Sequence, residues 1–466
     1  MTRVLSRIRG AALLTSFAVA AVACGGSTTP PASTEGTGAS APPAASAAAV
    51  SGTIKYVMWD ANQLPGYAAC ATAFQAAFPG TTVTVESLGW DDYWNGITTG
   101  LVSGTAPDVF TDHLNKYPDY ALKDQLIDLN PYIARDSVAT DIYYPGLADL
   151  WVTPDGRRFG LPKDFDTVAF FYNGQMVEDA GVDPASLASL TWNPDDGGTF
   201  EQLAAKLTID ANGVRGDEAG FDKTKVEVYG MGNNGAGAVG QIEYSFYVLS
   251  DGFSYTDQPV WGTHYNYDDP KYIAFFKWYR GMIEKGFTPG VEERTGVNYE
   301  DTFGAGKYAM ESNGSWNIGS MIKREVPKLG MFPTPIGPSG KRASIFNGLA
   351  DSIPKTTKNP ELAWQWVKFM ASAECQDIVA DKGVVFPAIE TSAAKKFAQY
   401  EANGIDVSAF TVHLADETTS LFPITDHAAD VDAIMGPALE QVLLGEVDPA
   451  TALPAANTEV NALFAP

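Results

Sequence analysis

SGTIKYVMWDANQLPGYAACATAFQAAFPGTTVTVESLGWDDYWNGITTGLVSGTAPDVFTDH, residues 51–113, is the stretch whose reading decides the fold. Its opening, SGTIKYVMW, alternates and is rich in β-branched residues, which predicts a strand ending at Trp59. Pro65 suits the start of a helix, and Tyr67, Cys70, Ala71, Phe74 and Phe78 recur at helical spacing until Pro79-Gly80 stops the pattern. TTVTVESL then reads as a second strand, WDDYWNGITTGLVSG as a second helix and PDVFTDH as a third strand. Strand, helix, strand, helix, strand predicts a parallel sheet with right-handed crossovers.

The alternation returns downstream. TVAFFYN reads as a strand, TFEQLAAKLT as a helix capped at Thr199 with Glu201 nearby, and VEVYGM as another strand. PKYIAFFKWYRGMIEKG is a long amphipathic helix. NPELAWQWVKFMAS is another, with Asn359 as its N-cap, Pro360 at its first position, and Leu362, Trp366 and Phe369 on one face that reads as core. With no repeat of fixed period and no heptads, two α/β lobes are the simplest architecture. The 466 residues are enough for two or three compact units.

Before the first strand lies a segment of another kind. Arg3, Arg7 and Arg9 precede AALLTSFAVAAVA, an apolar run too short to span a bilayer, so residues 1–23 read as a signal peptide. Ala21-Val22-Ala23-Cys24-Gly25 resembles a bacterial lipobox, with Ala21 in place of the usual Leu, which predicts lipidation of Cys24; a plain secretory cut is the alternative. Residues 24–50 are rich in Gly, Ser, Thr, Pro and Ala with Glu35 as their one charge, and read as a disordered tether. No later apolar run approaches a transmembrane length. In the oxidising compartment that export implies, Cys70 and Cys375 form either a disulfide or two buried thiols.

Removing the first 23 residues takes the formal charge from −25 to −28, because they hold three arginines and no acid. A body so acidic repels polyanions, which argues against nucleic acid and anionic lipid surfaces as partners.

Several segments, in order, resemble extracellular solute-binding protein family 1, the group of the periplasmic maltose-binding proteins. SGTAPDVFTDH is similar to the family's G-x-A-P-D-V segment, after an aromatic-acidic helix start from Trp90 to Trp94. In PKDFDTVAFFYNGQMVED, the residues Pro162, Asp164, Ala169, Phe170, Phe171, Tyr172, Asn173, Val177 and Asp179 fit the family signature, and Lys163 departs from it where an apolar residue is usual. TFEQLAAKLT, FGAGKYAMESNGSW, GLADSIPKTTKNPELAWQWVKFM and GVVFPA follow as later landmarks, and the likeness covers about residues 53–395 well.

The resemblance implies a periplasmic-binding-protein-like α/β fold: two lobes joined by a multi-strand hinge, with the ligand cleft between them. One lobe would comprise residues 51–166 with about 348–395, the other 167–347 with about 396–466. The first crossing would fall near Pro162 to Val168 and a second near Phe346 to Gly348. It implies no catalytic residue, cofactor or metal. The expected function is capture of a sugar for the permease of an ABC importer, by a monomer lipid-anchored on the extracytoplasmic face of the bacterial cell membrane.

A sugar offers planar sets of hydroxyls and apolar C–H faces, so its site calls for aromatic platforms beside charged or amide groups. Trp59, Asp112, Asp166 and Trp316 match cleft positions of the resembling family. Asp60, Asn62, His113, Tyr244, Asn347 and Asp351 sit on loops near the same expected cleft, and Trp261 is either a gate or a packed surface residue. An exported glycoside hydrolase, needing only a carboxylate pair, is an alternative, and a polyol or phosphate ester an alternative ligand.

GMGNNG at 230–235 and GAGAVG at 235–240, with Asp251 about 20 residues on, match a dinucleotide fingerprint. They lie deep in the chain, however, and Asn233-Asn234 suits a turn, so a loop lining the cleft or at the surface is the better reading. Ser320 and Lys323 lack the companions of an acyl-serine enzyme. His113, His264, His413 and His427 lack zinc-site spacing, and Asp426, Asp430 and Asp432 lack EF-hand spacing.

Overall fold

The computed structural model describes residues 50–465. The expected signal peptide, the lipidated Cys24 and all of the tether but Val50 lie outside the described residues. None of the described helices is long and apolar enough to cross a membrane.

The quoted stretch folds as read. Strand β1 (Gly52–Met58) is followed by helix α1 (Leu64–Ala77), β2 (Thr81–Ser87), α2 (Trp90–Ser103) and β3 (Val109–Asp112). β1 pairs in parallel with both β2 and β3. Because β1 is central, Tyr56, Val57 and Met58 at its end are all buried, as expected for a strand covered on both faces. In α1, Tyr67, Cys70, Ala71 and Phe74 face the core. Asp91 and Asp92 occupy the first turn of α2, where the helix dipole favours negative charge, and Gly104 closes it in the left-handed conformation.

Ten further strands complete the topology: β4 (Asp164–Phe165), β5 (Val168–Tyr172), β6 (Ile209–Asp210), β7 (Val226–Met231), β8 (Tyr308–Gly314), β9 (Gly330–Pro333), β10 (Ser344–Phe346), β11 (Ala350–Ser352), β12 (Phe386–Pro387) and β13 (Thr419–Leu421). The first sheet has the order β11-β3-β1-β2, and the second β6-β7-β8-β5-β9. The second is mixed: β5 is antiparallel to both β8 and β9, and β7 is parallel to β8. Val168 and Phe170 of β5 join a core with Phe200, Phe246 and Phe332, while Ala169 and Phe171 join the core on the opposite face, the two-residue period of a strand packed on both sides.

Between the sheets run two adjacent segments. Asp166 N–H donates to the Asn347 carbonyl at 2.8 Å and Lys163 N–H to the Leu349 carbonyl at 3.0 Å, so residues 163–166 and 347–349 lie antiparallel. One continues into β5 of the second sheet, the other into β11 of the first.

Local expectations meet two corrections. The helix read at Thr199 spans Gly198–Leu207 with Gly197 at its N-cap; Thr199 instead accepts a 2.8 Å hydrogen bond from Thr191 N–H, closing the preceding turn. Asn359 does stand at the N-cap of the Pro360–Met370 helix, but its amide donates to the Thr53 carbonyl rather than capping the turn. After the glycine run, helix forms only over Ser245–Ser250. Leu362, Trp366 and Phe369 are buried as read. Cys70 and Cys375 are joined as a disulfide between α1 and the Ala373–Asp381 helix, with Cα atoms 5.3 Å apart.

Candidate functional site

β1 and β3 are parallel neighbours, so both end at the same edge of the first sheet. Trp59, one residue past β1, and His113, one past β3, therefore emerge side by side with ring centroids 6.1 Å apart. Beyond carboxyl ends of strands is where open α/β sheets bind ligands. Here a cleft of about 870 Å³ opens, walled by the crossing segments, the glycine loop at 237–240, and Trp316 just past the end of β8. That volume lies in the range of small-molecule sites.

Of the ten candidate residues, Trp59, Asp60, Asn62, His113, Asp166, Trp316 and Asn347 line the cleft. Trp316 is placed by Gly314, since a Cβ there would fall 1.9 Å from the indole. Asp166 ties two walls together: Gln241 donates to one carboxylate oxygen at 2.7 Å and Asn347 to the other at 3.3 Å. Burial, then the charge of Asp164, pushes the Asp166 carboxyl well above its ordinary value. Asp60 is likewise raised by burial, although it accepts from Asn62 N–H at 2.8 Å and from the Gln63 amide at 3.0 Å. His113 Nδ1 accepts from Asn115 N–H at 3.2 Å, and burial lowers the ring to about 3, so it is neutral at pH 7.

Three candidates are absent from the wall, each for a tertiary reason. Asp351 accepts from Lys163 Nζ and Tyr56 OH, both at 2.9 Å, and from Thr111 Oγ1 at 3.2 Å, in a cluster sealed behind the cleft. Tyr244 lies under the glycine loop: its hydroxyl is 2.7 and 3.0 Å from the Gly237 and Ala238 carbonyls, and its ring fills the space a Cβ on Gly240 (φ +57°) would need. The glycine run thus serves close approach between loop and tyrosine, at the cleft wall.

Asp112 is 0 % exposed on β3, where the alternation of a strand turns it away from the side His113 takes. Its Oδ1 accepts from His113 N–H at 2.8 Å, Oδ2 has no partner, and burial pushes the carboxyl up to about 7. In an unfolded chain it would ionise near 3.9. The folded state therefore prefers it protonated, and its stabilising effect fades as pH rises through 7. Asp112→Asn keeps the Oδ1 acceptor and removes the titration. Its stability relative to wild type is expected to rise by roughly 1 kcal/mol between pH 6 and pH 8 in urea unfolding, and a constant difference would refute this. Trp261 does not line the cleft: its indole N–H donates to the Val152 carbonyl at 2.9 Å, which ties two loops together.

The wall also holds residues that sequence reasoning passed over, notably Trp90, Asp164, Gln241, Glu243, Glu300 and Asp432. Trp90 is a large, exposed aromatic in a polar helix start, and meets Trp59 edge to face at 5.2 Å. An aromatic beside Asp91 and Asp92 at a helix start was the one signal the sequence offered. Glu243, Glu300 and Asp432 come from segments distant in sequence and carried none. Among the described residues there is no group of three His, Cys, Asp or Glu placed to hold a metal ion.

A family model described as bacterial extracellular solute-binding protein matches residues 60–377. A putative binding protein of Brucella abortus (strain 2308) is 24% identical over 432 residues, covering 90% of this chain and 95% of that protein. A maltooligosaccharide ABC transporter solute-binding lipoprotein of Streptococcus pneumoniae is 25% identical over 287 residues, 61% of this chain and 60% of the other. In fold, the chain matches an ABC substrate-binding protein of Listeria monocytogenes in complex with cycloalternan, with TM-score 0.75 and 21% identity, over 88% of this chain and 98% of that one.

Proposed function

Because the chain belongs to the bacterial extracellular solute-binding protein family, we propose that its cleft captures a sugar or short oligosaccharide outside the cell and hands it to the permease of an ABC importer. The observation that carries this reading is the pairing, in one cleft, of indole platforms at Trp59, Trp90 and Trp316 with the acceptors of Asp60, Asp166 and Asn347. A pyranose needs both: its C–H face stacks on an aromatic ring while its hydroxyls take charge-assisted hydrogen bonds. A relative named for maltooligosaccharide and a fold neighbour in complex with cycloalternan support the same class.

In this reading Asp112, Tyr244 and Asp351 support the wall from behind. Residues 51–166 with about 348–395 form one lobe, and 167–347 with about 396–466 the other. The protein acts as a monomer held by lipid on Cys24. The crossing segments flex as the lobes close; periplasmic binding proteins are themselves a standard illustration of such closure. Small-angle scattering that shows no compaction on adding a tightly bound solute would remove the closing step.

A thermal-shift screen over a carbohydrate panel tests the capture itself, since a ligand that favours the native state raises its melting temperature. Incubation of the best sugar with pure protein is expected to return it unchanged; turnover would favour a glycoside hydrolase instead. Trp316→Ala is expected to weaken the sugar by about 2 kcal/mol, roughly 30-fold in Kd, in isothermal titration calorimetry. Unchanged affinity would take Trp316 out of the site.

A further inference from the structure

The cleft is one-sided in charge. Among the described residues, six acidic side chains line it, at Asp60, Asp164, Asp166, Glu243, Glu300 and Asp432, and no lysine or arginine does. The nearest cation by sequence, Lys163, is paired with Asp351, although its charge still reaches Asp60 and Asp164. Arg294 lies on the far side of the glycine loop, in a separate cavity of about 340 Å³.

The hydrogen-bond balance is one-sided too. Among the lining residues, the buried side-chain atoms without a partner are Asn115 Oδ1, Asp164 Oδ2 and Asn347 Oδ1, acceptors in every case. Asp164 is the sharpest of them. It is 2 % exposed, and its Oδ1 is committed to Leu349 N–H at 2.9 Å. Its Oδ2 is therefore an anionic acceptor in a desolvated wall with nothing to accept from, a costly arrangement unless a ligand donates to it.

We propose that the solute this cleft is built for carries a protonated amine, as an amino sugar or an aminated oligosaccharide does, with Asp164 as the ammonium's principal acceptor. The proposal rests on the reading of the cleft as a sugar site and names the class within it. An ammonium supplies donors to the idle acceptors and the missing counter-charge at once, where a hydroxyl supplies one donor and no charge. Burial raises Asp164 to about 6 and Glu243 to about 7, outweighing the lowering pull of Lys163 on the first and of Arg294 on the second. The same field disfavours uronates and sugar phosphates, whose charge meets like charge.

The test is calorimetric titration of the purified full chain with matched mono- to trisaccharides in four forms: neutral, N-acetylated, aminated and uronic. The aminated form is expected to bind about tenfold or more tighter than its neutral partner, the gap between charge-assisted and neutral hydrogen bonds. Added salt is expected to narrow that gap, and the uronic form not to bind. Asp164→Asn, which keeps the Oδ1 acceptor, is expected to bring the aminated form down to the neutral one; Glu243→Gln serves if that variant does not fold.

Equal or tighter binding of the neutral or N-acetylated form, or binding of the uronate, overturns the proposal and leaves the sugar reading standing. Binding of linear polyamines with no sugar of any charge overturns the sugar reading and the amino-sugar assignment with it. Failure of both panels overturns both.

Discussion

Lys163→Met is expected to destabilise the fold by about 3–5 kcal/mol, because it leaves the Asp351 carboxylate buried without its counter-charge. The side chains of Lys163 and Asp351 are 1% and 2% exposed. Lys163 Nζ lies 2.9 Å from Asp351, 2.8 Å from Thr111 Oγ1 and 3.0 Å from Tyr56 OH, and 4.6 Å from the centroid of the Tyr67 ring. One ammonium thus joins β1, α1, β3, β11 and the first crossing segment. Lys163→Met combined with Asp351→Asn is expected to recover part of the loss, since the unpaired charge goes with its partner. Urea unfolding of the two single variants and the double gives the coupling directly. A loss below 1 kcal/mol for Lys163→Met alone would mean that Asp351 is already satisfied by its hydroxyl donors.

Breaking the Cys70–Cys375 bridge is expected to cost about 2–4 kcal/mol of equilibrium stability. The two cysteines are 305 residues apart in sequence, so the bridge closes a loop that takes in most of the folded chain. In the chain-entropy account, long loops restrict the unfolded ensemble most. Both cysteines are fully buried between α1 and the Ala373–Asp381 helix. Reductant is therefore expected to act only after unfolding. Comparing urea midpoints of the oxidised protein with those of protein unfolded and refolded under reductant isolates the covalent term without altering packing. Equal midpoints would show that the packing of the two helices carries the contact alone.

The first sheet was legible because everything that specifies it is local. Period-two runs, helical spacing and the Pro79-Gly80 stop sit within residues 51–113, and parallel pairing follows from the intervening helices. The second sheet was legible as elements and not as an order. β8 enters it between β5 and β7 from about 80 residues beyond β7, and nothing near Val168–Tyr172 announces an antiparallel neighbour so far along the chain. The site divides the same way. Trp59 could be named from the family resemblance and His113 from its place near the expected cleft, and the structure puts each one residue past a parallel strand, on the sheet's carboxyl edge. Asp112 could not be separated from them without knowing which way the last residue of β3 faces.

By itself, then, the sequence determined the α/β class, the strands and helices of the first sheet, and the aromatic and acidic residues available to a cleft. These are written in patterns a few residues long, where backbone geometry and side-chain spacing act directly. Tertiary structure alone decided which carboxylates face the cavity, that Asp351 is spent on Lys163, that Asp164 keeps an idle oxygen, and that Cys70 meets Cys375. Each of those outcomes depends on desolvation and on partners from remote segments, and burial and hydrogen bonding acquire their values only once the chain has closed on itself.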